Sequence, residues 1–164
     1  MRILGVDPGL GVTGYGILEE DSTILKIIEA GIIRTKKNSS FEKQLFQIGN
    51  EMESIITQLK PDVIAIEELY SHYKHPKTAI IMGHARGIVF FKAAEKGIEV
   101  FPYSSTKVKN SLTGNGRASK RQVQQMIAST LNLSIIPEPN DVADALAVAL
   151  CHLNSLKTKL SEQI

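Results

Sequence analysis

A chain of 164 residues with 43% hydrophobic and 22% charged side chains has the make-up of one globular domain, long enough to bury roughly 70% of the surface its unfolded form exposes. No apolar run reaches the roughly 18–20 residues a membrane span needs, no secretory leader pattern precedes the first strand, and Cys151 alone cannot form an intramolecular disulfide; a cytoplasmic setting is expected. The net charge of +2 hides an asymmetry: residues 1–70 carry 7 basic and 11 acidic side chains, residues 71–137 carry 10 and 2, and residues 138–164 carry 2 and 4. A basic middle third suits a polyanionic partner, although a solvated Lys/Arg face has the same composition.

Residues 2–7 (Arg2-Ile3-Leu4-Gly5-Val6-Asp7) read as a strand buried on both faces, because the apolar run barely alternates. Pro8, Gly9 and Gly11 punctuate a tight turn, and residues 12–18 return as a second strand with Gly14 and Gly16. Residues 24–33 form a third, so an antiparallel meander is predicted. The period then changes. Leu45, Ile48, Met52, Ile55, Ile56 and Leu59 recur at helical spacing over residues 41–59, and Pro61 closes that helix. A fourth strand at 62–67 precedes a polar loop at 71–77 and a helix at 78–96 that is apolar on several sides. Gly97 ends this helix, a fifth strand spans 98–103, and the remainder is helical at 105–111, 119–131 and 140–157. The order predicts an α/β domain over residues 1–156 in which a ribbon lies beside parallel βαβ crossovers. A polar tail at 157–164 is expected to be dispensable. Cys151 shares an apolar helix with Ala147 and Leu150 and reads as core packing.

Four acids stand out in this frame. Asp7 and Glu67 each end an apolar strand, and a right-handed crossover would return the fourth strand parallel to the first, with both acids at one carboxyl edge. Asp141 and Asp144 stand three apart at the start of the last helix, on one face. A bare charge at the end of a buried strand is costly, and four converging carboxylates repel one another; a hard divalent cation is the usual counter-ion. Metal-dependent hydrolysis of a phosphate ester is therefore the leading reading. Each residue also has a plainer one: Asp7-Pro8-Gly9 is a good turn, and Asn140 or Asp141 is an N-cap candidate. Glu67 and Glu68 are adjacent, and spacing leaves open which of them faces inward.

Val6-Asp7-Pro8-Gly9, Thr13-Gly14-Tyr15-Gly16, Ala65-Ile66-Glu67, Gly83-His84-Ala85-Arg86-Gly87 and Asp141-Val142-Ala143-Asp144-Ala145-Leu146-Ala147 together resemble the bacterial RuvC Holliday junction resolvases, in order and over nearly the whole chain. The resemblance implies an RNase H-like fold, a five-stranded mixed sheet of three antiparallel and two parallel strands flanked by helices. It implies a homodimer that resolves four-way DNA junctions by paired nicks with 5′-phosphate and 3′-hydroxyl ends. It also assigns catalysis and metal binding to Asp7, Glu67, Asp141 and Asp144, and so chooses Glu67 over Glu68. Two Mg²⁺ ions about 4 Å apart, with Mn²⁺ as a substitute, would activate water and stabilise the departing 3′-oxygen. A branch-migration motor is the further partner expected of the family.

The basic middle then acquires a role. Residues 100–137 contain no Asp or Glu, and Lys107, Lys109, Arg117, Lys120 and Arg121 are expected to hold DNA phosphates; the resemblance singles out Lys109 and Lys120. It also places Tyr70 where an aromatic stacks on unpaired bases. His72 and His75 flank Tyr70, but no Cys or further His completes a zinc pattern. The second apolar face of the 78–96 helix reads as a dimer interface containing His84, Arg86, Ile88 and Phe91. The rival readings are an ATPase with a phosphate-binding hairpin, an RNase H-like binding module without catalysis, and another RNase H-like nuclease.

Overall fold

The structure, a computed structural model, describes residues 1–21, 24–69 and 76–161. The elements run β1 (Arg2–Asp7), β2 (Val12–Asp21), β3 (Ile24–Arg34), α1 (Phe41–Leu59), β4 (Val63–Glu67), α2 (Pro76–Glu95), β5 (Glu99–Tyr103), α3 (Ser105–Thr113), α4 (Lys120–Thr130) and α5 (Asn140–Ser161). The strands form one sheet in the order β3-β2-β1-β4-β5. β1 pairs antiparallel with β2 and parallel with β4, and β5 continues the parallel half. This is the predicted mixed sheet with β1 at its centre.

A strand in that position has no exposed face, which explains its continuous apolar run. Ile3 joins Leu18 and the buried side of α5 in one core. Leu4 and Val6 join Ile17, Ile48, Met52 and Val89 in a second core on the opposite face, under α1 and α2. Lys60, in the left-handed conformation ahead of Pro61, closes α1. On α5, Cys151 is buried as expected. His152 is buried too, and its Nδ1 shares a 2.8 Å hydrogen bond with the Tyr103 hydroxyl, which ties β5 to α5.

Most boundaries fall within two residues of expectation; the ends of β2 and α5 run further, and ion pairs accompany both. β2 continues through Glu19, Glu20 and Asp21 instead of ending at residue 18. Alternation puts Glu19 and Glu20 on opposite faces, and each finds a cation there: Glu19 meets Arg2 at 2.8 Å and Lys26 at 3.3 Å, and Glu20 meets Lys157 at 2.7 Å. The Glu20–Lys157 pair fastens the end of α5 to the sheet. Residues 157–161, expected in a polar tail, are accordingly the last turn of α5.

The contact between α5 and the sheet is made at backbone level. A Cβ on Gly5 would lie 2.0 Å from the Ala145 carbonyl oxygen, and one on Gly14 would lie 2.0 Å from that of Asp141. At Gly16 the intruding atom would be Leu146 Cδ2, at 2.6 Å. The three glycines of β1 and β2, opposed by the Ala-rich face of α5, let helix and strands approach more closely than any side chain permits. A methyl group facing backbone cannot be relieved by a rotamer change. Gly14→Ala should therefore destabilise the protein by about 1–3 kcal/mol, a fall in Tm of roughly 2–12 °C, measurable by calorimetry. An unchanged Tm would show that the helix does not rest on this glycine.

Candidate active site

Close packing at Gly14 determines where the acids meet. Gly14 is the register partner of Asp7 on the neighbouring strand, and its bare Cα faces the Asp141 backbone. The first turn of α5 is thus set down beside the end of β1, and Asp144 follows one turn later on the same side. β4, parallel to β1, brings Glu67 to the same edge. The turn leaving Asp7 is fixed internally: Thr13 Oγ1 donates to the Gly9 carbonyl at 2.7 Å and accepts from Gly9 N at 3.3 Å. Thr35 Oγ1 donates to the Leu10 carbonyl at 2.7 Å.

The four predicted acids therefore share one edge, and their fields register on one another. Burial first, then the charges of Glu67, Asp144 and Asp141, push the Asp7 carboxyl up from 3.8 to about 7. Burial and Asp144 also raise Glu67, against the hydrogen bond from Ser105 and the charges of Lys120 and Lys109. Lys120 is the nearest counter-charge, donating from Nζ to Asp144 Oδ2 at 2.7 Å. Burial alone would lower the lysine, but that bond and the charges of Asp7 and Asp141 outweigh it and hold it protonated.

The donor set suits a hard divalent cation: the acids supply oxygen atoms only, and their mutual repulsion is what a bound cation would reverse. Among the described residues no three His, Cys, Asp or Glu side chains stand in chelating geometry as placed. Unscreened carboxylates separate, and Lys120 draws Asp144 towards itself; both effects oppose convergence. The acids fit a metal by their oxygen donors and by the edge they share.

A cavity of about 200 Å³ opens beside the acids, lined by Glu67, Ser105, Lys109, Lys120 and Asp144 over an apolar floor that includes Val108 and Val123. Lys109 and Lys120 thus join the acids. Lys107 and Arg117 line a neighbouring concavity instead, and Arg121 is exposed in the first turn of α4. Tyr70, His72 and His75 lie outside the described residues. On α2, Phe91 is 57% exposed, and exposed His84 packs edge-on against Phe41 with ring centroids 5.2 Å apart. Arg86 stacks over Phe90 and donates to the Glu67 carbonyl at 3.3 Å. Ile88 leans on Gly49 of α1 within the protomer. Sequence reading missed Ser105, although it follows a parallel strand at the same carboxyl edge as Glu67. It also missed the Lys120–Asp144 pair, which 24 residues of chain separate.

The raised Asp7 value makes stability depend on pH. A carboxyl whose folded pKa lies above its unfolded one favours folding fully below the unfolded value, near 4, and this contribution is lost as pH rises through about 7. Asp7→Asn removes the charge at every pH. In EDTA, the Tm of Asp7→Asn should match wild type near pH 4, exceed it progressively up to pH 7, and stay higher by a constant margin above that. Parallel melting curves across this range would show that Asp7 is not strained by its neighbours.

The family model described as crossover junction endodeoxyribonuclease RuvC matches residues 3–152. A crossover junction endodeoxyribonuclease RuvC from Ruminiclostridium cellulolyticum is 46% identical over 155 residues, covering 94% of this chain and 93% of its own. The Thermotoga maritima protein of the same name is 47% identical over 152 residues, covering 93% and 90%. Among solved structures, Thermus thermophilus RuvC in complex with Holliday junction substrate superposes with a TM-score of 0.90 at 28% identity, covering 97% of this chain and 96% of that one. The mixed sheet and its helices are thus the RNase H-like arrangement of these proteins, and the chain belongs to the RuvC family of crossover junction endodeoxyribonucleases.

Proposed function

We propose that this protein is a structure-selective endonuclease that resolves four-way DNA junctions by paired, symmetric nicks. The observation that carries the reading is the meeting of Asp7, Glu67, Asp141 and Asp144 beside an acid-free basic segment, in a chain of this family. Divalent-metal use follows from the family. We take the metal to be two Mg²⁺ ions, replaceable by Mn²⁺, held by these four acids and supplying activation of water and stabilisation of the departing 3′-oxygen.

The remaining chemistry belongs to the chain. Lys120 holds Asp144 while no phosphate is near, and its ammonium is placed to pass to a backbone phosphate oxygen. Lys109 faces the same cavity from α3 and is the second phosphate ligand. Ser105 keeps Glu67 oriented by its hydrogen bond. Lys107, Arg117 and Arg121 extend the positive surface along the DNA, and Tyr70 is assigned to stacking on unpaired bases. Two like strands of a junction are cut in related positions, so a two-fold dimer suits the substrate. Phe91 and Ile80 on α2, and Phe46 on α1, are large apolar side chains more than half exposed in the protomer, and they support α2 as the interface with His84 and Arg86 at its edge. A branch-migration motor is the expected further partner. Among the described residues no helix is long and apolar enough to cross a membrane, and a cytoplasmic site of action suits a chromosomal substrate.

The test incubates the protein with a synthetic mobile four-way junction and a matching linear duplex, in Mg²⁺ or in EDTA. Paired, ligatable, Mg²⁺-dependent nicks confined to the junction are expected. Equal cutting of both DNAs would return the protein to the general nucleases, and binding without nicks would make it a silent binding module. Asp7→Asn should abolish nicking while junction affinity stays within about threefold. Phe91→Glu should shift the protein from dimer to monomer in light scattering; an unchanged dimer would move the interface off this part of α2.

A further inference from the structure

Two concavities flank α3 outside the catalytic cavity, and among the described residues neither is lined by a carboxylate. One lies towards the loop before α4 and includes Lys107, Asn110 and Arg117. The other, of about 600 Å³, lies between α3 and the last turns of α5 and includes Lys107, Asn110, Lys157, Thr158 and Lys159. Lys107 and Asn110 form the ridge common to both. We propose that the α3–α5 groove is a second phosphate-backbone site, which holds a duplex arm of the junction away from the cut. This rests on the proposed function and extends it to a part of the chain that the sequence marked as a dispensable tail.

The groove is built as well as charged. Asn154 Nδ2 donates to the Ser111 carbonyl and hydroxyl, each at 3.2 Å, and these bonds fix the two helices at its floor. Ser155 and Thr158 donate their hydroxyl protons to the Cys151 and Asn154 carbonyls of their own helix. Lys157 is held by Glu20 at 2.7 Å. The donors that remain are the ammonium groups of Lys107 and Lys159 and the Asn110 amide, none with a side-chain hydrogen-bond or ion-pair partner among the described residues. Ammonium groups can only donate, so they suit an anionic ligand that only accepts, as phosphodiester oxygens do.

Two further observations select duplex DNA among polyanions. The groove is continuous, through Lys107, with the basic flank beside the active site. After Arg121 the only Lys or Arg residues in the sequence are Lys157 and Lys159, and the fold returns both to the acid-free face of α3. Spacing also fits. From Asp144 to Ser155, α5 advances eleven residues, roughly 16 Å at 1.5 Å per residue. That is about five base pairs of duplex at 3.4 Å each. Five base pairs are about half a turn, so an arm whose scissile phosphate lies at the acids presents the backbone of its complementary strand at this distance.

The experiment measures junction affinity in EDTA across a salt series for wild type, Lys159→Gln and Lys26→Gln. Lys26 is a control on the opposite sheet face, paired with Glu19. Lys159→Gln should weaken binding by about 3- to 10-fold at low salt and reduce the slope of log K against log salt by about one, the loss of one phosphate contact. Lys26→Gln should change neither. Neutral methylphosphonate linkages in the complementary strand, at phosphates roughly four to six base pairs from the cut, should weaken wild type more than Lys159→Gln, which has already lost one of the groove's donors. Identical slopes for wild type and Lys159→Gln, or equal methylphosphonate effects on both, would overturn the groove assignment while junction cleavage stood. A wild type that neither bound nor cut the junction would overturn the proposed function and the groove with it.

Discussion

The structure depends on how closely one helix lies on two strands. α5 approaches β1 and β2 at a separation that Gly5, Gly14 and Gly16 alone make possible, since a methyl group at Gly5 or Gly14 would fall 2.0 Å from a helix carbonyl oxygen. Elsewhere such glycines weaken a strand, because they bury little and cost more conformational entropy. Here the loss is offset by a helix that lays Ala145 and Ala149 directly over Gly5 of the sheet and keeps Ala143 and Ala147 buried as well. The same contact carries the chemistry, because Gly14 is paired with Asp7 on one side and abuts Asp141 on another. Packing and the placement of the acids therefore share a residue that has no side chain.

Electrostatics at the edge oppose the packing that creates it. Burial first, and then the charges of Glu67, Asp144 and Asp141, lift the Asp7 carboxyl to about 7, so the fold holds this acid where both solvent exclusion and its neighbours oppose ionisation. Such strain is typical of a site arranged for a cation and not for its own stability. Lys120 relieves part of it from α4, which a capping box of Ser119 and Gln122 holds in place. Lys120 and Lys109 beside four acids leave net negative charge, within a stretch of sequence that is itself acid-free. A polyanion with its own metal ions is attracted to the flanks and resisted at the acids until a cation is bound there.

The two halves of the chain divide the labour accordingly. β1, β2 and β4 supply the rigid edge, and their parallel and antiparallel pairings fix Asp7 and Glu67 to within one strand spacing. The helices that follow supply charge, with Lys107 and Lys109 on α3 and Lys120 on α4. α5 joins both roles: its start bears Asp141 and Asp144, and its last two turns, anchored by Glu20, bear Lys157 and Lys159.

Much of this was legible in the sequence because local periodicity reports burial. A non-alternating run marked β1 as central, the 41–59 helix and the later crossover fixed the parallel half, and acids ending apolar runs marked the catalytic edge. Asp144 was visible as a charge interrupting a buried helical face. The boundaries at Glu19 to Asp21 and at residues 157–161 were hidden, since their charged residues read as solvent-facing until the ion pairs between elements, with Arg2, Lys26 and Lys157, are known. Ser105 against Glu67, Lys120 against Asp144 and the α3–α5 groove were hidden for the same reason. The sequence by itself determined which residues are buried, which are charged and which elements they form, because those depend on neighbours a few positions away. Only the tertiary structure decided which charges face one another, because the helix-to-strand distance at Gly5 and Gly14 depends on contacts more than a hundred residues apart.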